Sequence, residues 1–172
     1  MEIRNELNEQ TSLSLLEGIR QEENARIMYR NLANYARCYG YIGAHKYFGQ
    51  EAIDEAEHSH MIQHYIDNRG VEYEVPLPDK TKRPENLRDC FKIAYKAESN
   101  LYEFYQNLSI SVSHEDKETH LFVNKLIEIQ YQSMSDYKIF LRQLENISDD
   151  DLYFWQSDVF GELVKNPTIP NL

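Results

Sequence analysis

The feature that most limits the fold of this chain is where its prolines fall. All five lie in two short stretches, Pro76 to Pro84 and Pro167 to Pro170, so the rest of the sequence is free of the strongest helix breaker. Only six glycines accompany them, and the two residue types together reach roughly half of average usage. A sandwich or barrel of many short strands needs frequent turn signals and is excluded, which leaves long helices. With 172 residues, 41% of them hydrophobic, the chain is large enough for one compact domain with a true core.

Hydrophobic period marks where the helices run. Leu15, Ile19, Tyr29, Leu32 and Ala36 recur at spacings of one helix face and predict a helix A over about 13–36. After a turn at Gly40 and Gly43, Phe48, Ala52, Ile62 and Ile66 predict helix B from Ala44 to Asn68. Residues 70–86 carry three prolines and no period, too long for a tight turn and suited to a crossover. Phe91, Ala94, Leu101 and Tyr105 predict helix C over Leu87 to Leu108; the polar stretch SVSHEDKET separates it from helix D, Leu121 to Leu144. Ile147-Ser148-Asp149 offers cap oxygens to a fifth, shorter helix over about 149–165, stopped by Pro167. The expected fold is all-α: one domain over 1–172, a four-helix bundle over about 13–146 with one long crossover between its second and third helices, and a short C-terminal helix. The 13 tyrosines read mostly as core rings whose hydroxyls reach water.

A net charge of −11, from 29 acidic against 18 basic residues, disfavours nucleic acid and anionic membranes as partners and makes cations the natural ligands. No apolar run approaches the roughly 18 residues of a membrane span, and MEIRNELNEQ lacks the features of a signal peptide, so a soluble, cytoplasmic chain is expected. Cys38 and Cys90 match no metal-binding spacing and read as reduced, inert thiols.

The informative residues are polar ones inside the apolar stripes. Glu22 lies three residues after Ile19 and seven before Tyr29; Glu55 stands seven from both Phe48 and Ile62, with His58 one turn on. Glu98 sits between Ala94 and Leu101, and Gln130 takes the corresponding place between Leu126 and Met134. Each therefore points inward. A lone buried carboxylate costs several kcal/mol, so three on separate faces of one bundle call for a cation or a shared proton. Carboxylates with one imidazole and one amide carbonyl suit iron or manganese better than structural zinc, and iron is the expectation. Asp54, Glu57 and His60 lie off the core face of helix B as further candidate ligands; Glu57-x-x-His60 repeats the spacing two residues on.

These residues carry a family resemblance. The chain resembles a non-haem bacterial ferritin with a heavy-chain-like ferroxidase centre, through Glu22 and Tyr29 on helix A, DEAEH containing Glu55 and His58, YKAES containing Glu98, Gln130 on helix D and LYF opening the fifth helix. On helix D, IEIQYQS lacks the Glu-Gln pair common in that family, so Glu128 or Gln132 could replace Gln130 in a shifted register. The resemblance implies a shell of 24 identical chains that takes in ferrous iron, oxidises it with dioxygen or hydrogen peroxide and stores ferric mineral inside. Within the centre it implies that Glu55 bridges two irons, Glu22 and His58 complete one, and Glu98 with Gln130 hold the other. Tyr29 would hydrogen-bond a ligand or supply an electron. Haem is not expected, because Ala56 stands where the related bacterioferritins place the haem-binding methionine. A rubrerythrin-type oxidase or peroxidase would want a second Glu-x-x-His, but Glu128 is followed at that offset by Tyr131. A non-enzymatic interaction bundle would require the inward acids to be misphased.

Overall fold

The computed structural model describes residues 7–161. Five helices follow one another: α1 Glu9–Cys38, α2 Ile42–Asn68, α3 Leu87–Val112, α4 Lys117–Glu145 and α5 Leu152–Val159. α1 packs along α2 and α3 along α4, two hairpins that meet where α1 lies against α3. The apolar stripes close on one another around Leu15, Ile19, Leu32, Phe48, Ile62, Ile66, Phe91 and Leu126, all essentially without solvent contact. Among the described residues no helix is long and apolar enough to cross a membrane.

Most helix starts have a local cause. Asn8, Asn86 and Asp116 accept the N–H groups of Thr11, Asp89 and Thr119, capping α1, α3 and α4. α2 lacks such a cap from its own N-cap residue, Tyr41. Its cap comes from α5, where the Gln156 side-chain carbonyl accepts the Ala44 N–H at 3.0 Å. That approach requires glycine at position 43, since a Cβ there would stand 2.6 Å from the Gln156 backbone oxygen. The turn after α1 uses Gly40 and the exit from α2 uses Gly70, both in the left-handed region at φ 82° and 67°.

The crossover between α2 and α3 is tied to α1. Asn24 accepts the Asp79 N–H at 2.6 Å, Asn31 donates to Thr81 at 2.6 Å, Arg20 pairs with Asp79, and the Tyr35 hydroxyl donates to the Glu85 carbonyl at 3.1 Å. Arg69, closing α2, pairs with Asp116 at the start of α4 at 2.9 Å.

Three expectations from the sequence need correction. The polar stretch between the third and fourth helices is mostly helical: α3 continues to Val112 and α4 starts at Lys117, because Val112 and Thr119 are buried and Asp116 caps the new turn. The fifth helix begins at Leu152 after Asp151, and the side-chain oxygens of Ser148 and Asp149 do not cap it: Ser148 donates to Asp151 and Asp149 accepts from Arg88, while the Asp149 backbone carbonyl accepts the Leu152 N–H at 3.4 Å. It ends at Val159 with Phe160 buried beyond it; residues 162–165 of the expected helix, and Pro167, lie outside the described residues. Three tyrosines, Tyr29, Tyr105 and Tyr137, are fully buried and spend their hydroxyls on carboxylates instead of water. Of the two cysteines, Cys38 is exposed and Cys90 is buried, with its thiol pushed up to about 12 by burial.

Candidate metal centre

Three helices bring carboxylates to one point in the core. Glu22 of α1 and Glu98 of α3 have no solvent contact, and Glu55 of α2 is 2% exposed. One ligand atom each from Glu22, Glu55 and His58 lies within 4.8 Å of the others. His58 Nδ1 stands 3.3 Å from a Glu55 oxygen and 3.8 Å from a Glu22 oxygen. From the fourth helix Gln130 is buried at 1% exposure. Two tyrosines hold the acids: Tyr105 donates to Glu22 and Tyr29 donates to Glu98. After these bonds, one oxygen of Glu22, one of Glu98 and the side-chain carbonyl of Gln130 remain buried without a hydrogen-bond partner. Buried acceptors left open in this way are rare, since each costs the desolvation of an unpaired group. A cation held by Glu22, Glu55 and His58 would engage the open Glu22 oxygen, and a donor set of carboxylates, an imidazole and an amide carbonyl fits iron or manganese.

The electrostatics of the empty protein follow from packing these acids together. Burial, then the charges of Glu22 and Glu98, push the Glu55 carboxyl well above the usual range, so it holds a proton. Burial raises Glu98 to about 7 against the opposing Tyr29 hydrogen bond. Burial also works to raise Glu22, yet the nearby Glu55 carboxyl, the His58 imidazole and the Tyr105 hydrogen bond outweigh it and hold this carboxyl low. His58 loses by burial but gains more from facing Glu22, and its imidazole is raised. In the metal-free centre Glu22 therefore favours its ionised form, Glu55 its protonated form and His58 its charged form, with Glu98 titrating near neutral pH. Tyr29 and Tyr105 are pushed well above 10, first by burial and then by the neighbouring carboxylates, and stay protonated donors.

The other candidate ligands lie elsewhere. Asp54 is half-buried and accepts from Gln50 at 2.9 Å. Glu57, His60 and Glu128 are exposed, and Glu57 lines the same cavity as Glu55 and His58. Gln132 is also exposed and donates to Asp136 at 3.0 Å, which leaves Gln130 as the buried polar residue of this part of α4.

One carboxylate escaped the sequence reading. Glu51, one turn before Glu55, is half-buried and accepts from the Tyr137 hydroxyl at 3.2 Å. Burial and the charges of Glu98 and Asp54 push it up to about 8. Its i, i+4 relation to Glu55 and the place of Tyr137 seven residues after Gln130 were the available signals. Glu51, Asp54, Glu55, Glu57 and His58 of α2, with Ile129, Gln132 and Ser133 of α4, line an open cavity of about 320 Å³.

The sequence profile of the rubrerythrin family matches residues 14–129. The chain is 27% identical over 157 residues to the bacterial non-heme ferritin of Staphylococcus aureus strain USA300, covering 86% of this chain and 94% of that protein. It is 28% identical over 158 residues to the bacterial non-heme ferritin of Staphylococcus haemolyticus, with the same coverage. Among solved structures, a humanized archaeal ferritin superposes with a TM-score of 0.84 at 19% identity, over 89% of this chain and 96% of that one. An open pore ferritin from Archaeoglobus fulgidus does so with a TM-score of 0.81 at 19% identity, over 89% and 97%.

Proposed function

Because the chain belongs to the rubrerythrin family, whose match runs from within α1 through α2 and α3 into the first half of α4, we propose that it stores and detoxifies iron as the non-haem ferritins it resembles do. Ferrous iron is the substrate, oxidised by dioxygen or hydrogen peroxide at the centre formed by Glu22, Glu55, His58, Glu98 and Gln130. The ferric product is kept inside a closed shell of 24 copies of this chain in the cytoplasm, without haem. The observation that carries this reading is the buried cluster of Glu22, Glu55 and His58, with oxygens of Glu22, Glu98 and Gln130 left without a hydrogen-bond partner in the core.

Each residue has a task that follows from its surroundings. Glu22, already ionised in the core, is the first attraction for a cation, and His58 gives up its proton to become a nitrogen ligand. Glu55 stands 3.3 Å from His58 and feels the charges of both Glu22 and Glu98, and it would be the carboxylate shared by two cations. Glu98 is oriented by Tyr29, and Gln130 offers a neutral oxygen, a weaker donor that suits a cation in passage. Tyr29 stands against Glu98 and within ring-stacking distance of Tyr137, centroids 6.3 Å apart, and is the side chain best placed to give an electron. The rubrerythrin-type oxidase reading has no support from α4, where the required second histidine is Tyr131, an exposed ring 6.2 Å from that of Tyr102.

Anaerobic ferrous titration of the metal-free protein tests this directly. Binding releases protons from Glu55 and His58, and affinity rises with pH between about 5 and 8 as these groups cease to compete. Titration without proton release, or with affinity flat over that range, contradicts the reading.

A further inference from the structure

α2 carries a second set of metal-capable side chains that the centre does not use. His60 and His64 are exposed and separated by one helical turn, a spacing that sets their Cβ atoms about 5–6 Å apart on one face. They lie off the stripe of Phe48, Ala52, Glu55, Ser59, Ile62 and Ile66 that enters the core. His60 follows His58 by two residues, about 200° around the helix, so the two imidazoles face opposite sides. Among the described residues His60 has no hydrogen bond or ion pair. His64 Nε2 is in contact with the Asn68 side-chain nitrogen at 3.1 Å, one turn further on, an exposed contact that a stronger ligand displaces.

We propose that His60 and His64 form a divalent-cation site on the exposed face of α2, distinct from the buried centre and selective for copper, zinc or nickel over magnesium and calcium. Two imidazoles at i and i+4 on one helix are a known chelating geometry, because a single rigid backbone turn presents both nitrogens. Neutral nitrogen ligands favour the later first-row cations, with copper strongest. Exposed Glu57, three residues before His60, supplies a carboxylate on the same face, and water completes the shell. The negative charge of the chain raises the cation concentration around it. The site is open until a cation closes it, unlike the preassembled cluster of Glu22, Glu55 and His58.

Copper(II) titration followed by electron paramagnetic resonance tests the site, in a Glu55→Ala, His58→Ala background that silences the buried centre. The expected result is about one tightly held copper per chain, with superhyperfine structure from two nitrogens. His60→Ala or His64→Ala alone reduces this to one nitrogen and weakens binding, and the double replacement loses the tight copper. Both residues are exposed, so the fold survives these changes, and far-ultraviolet circular dichroism checks it. Copper bound with unchanged stoichiometry and spectrum in the double variant overturns the proposal, as does a background spectrum without two nitrogen donors. Neither result bears on iron oxidation at the buried centre.

Discussion

At the scale of single residues, the centre is an assembly of acids that the fold tolerates only by holding protons. Glu98 titrates near 7 and Glu51 near 8, whereas a glutamate in the unfolded chain titrates near 4.5. The folded state thus binds protons more tightly across this window. The stability those protons confer is complete below about 4.5 and is lost as pH rises through 7 and 8. Thermal denaturation of the metal-free protein should show the melting temperature falling from pH 5 to pH 8. Glu51→Gln, which removes the charge and keeps the shape, should flatten that slope and raise the melting temperature at pH 8 by about 2–4 °C. A profile as steep in Glu51→Gln as in the parent contradicts the assignment. The inward placement of Glu22, Glu55, Glu98 and Gln130 was legible in the sequence because each interrupts a stripe otherwise apolar at helical spacing. Glu51 was not, since it stands at the edge of its stripe and is covered only when Tyr137 arrives from α4. Tyr29 was expected to hydrogen-bond a ligand and does bond Glu98, but the partners of Tyr105 and Tyr137 were not legible, because a hydroxyl's destination depends on a neighbouring helix that a one-helix period does not describe.

At the scale of elements, the four long helices were legible because period and proline placement agree over more than twenty residues each. Helix ends were less so: the polar run before α4 folds because Asp116 caps it and Thr119 is buried against a neighbour. The role of α5 depends on a contact more than a hundred residues away in sequence. Its Gln156 caps α2, Leu152 and Phe160 bury against the bundle, and the ring of Trp155 meets that of Phe91 edge-on at 5.3 Å. Gly43→Ala should force α5 off, since the added Cβ would collide with backbone at 2.6 Å. Because Trp155 is the only tryptophan, its fluorescence should shift to the red while the circular dichroism of the bundle holds. Gln156→Ala should be milder, costing about 1 kcal/mol as a lost helix cap. An unshifted Trp155 emission in Gly43→Ala would show that the close approach does not govern docking.

At the scale of the whole molecule, the surface left over by α5 bears on assembly. Leu152 and Phe160 are satisfied within the chain, while Tyr153, Phe154 and Val159 remain exposed. The proposed shell would cover them, and mass measurement at micromolar concentration should find a 24-chain particle; a stable monomer or dimer would end the shell proposal. The central claim concerns the chemistry within each chain, and Glu55 is where it concentrates. Glu55→Ala should leave the fold and assembly intact, because it removes one acid from a bundle otherwise held by its apolar core. His58→Ala should slow iron oxidation less completely, and Gln130→Ala less still. The most direct test is stopped-flow absorbance of ferrous iron mixed with oxygenated protein, comparing the parent chain with Glu55→Ala. The account predicts rapid oxidation by the parent and, for Glu55→Ala, no rate above that of iron without protein; oxidation at the parent rate in the variant would contradict it.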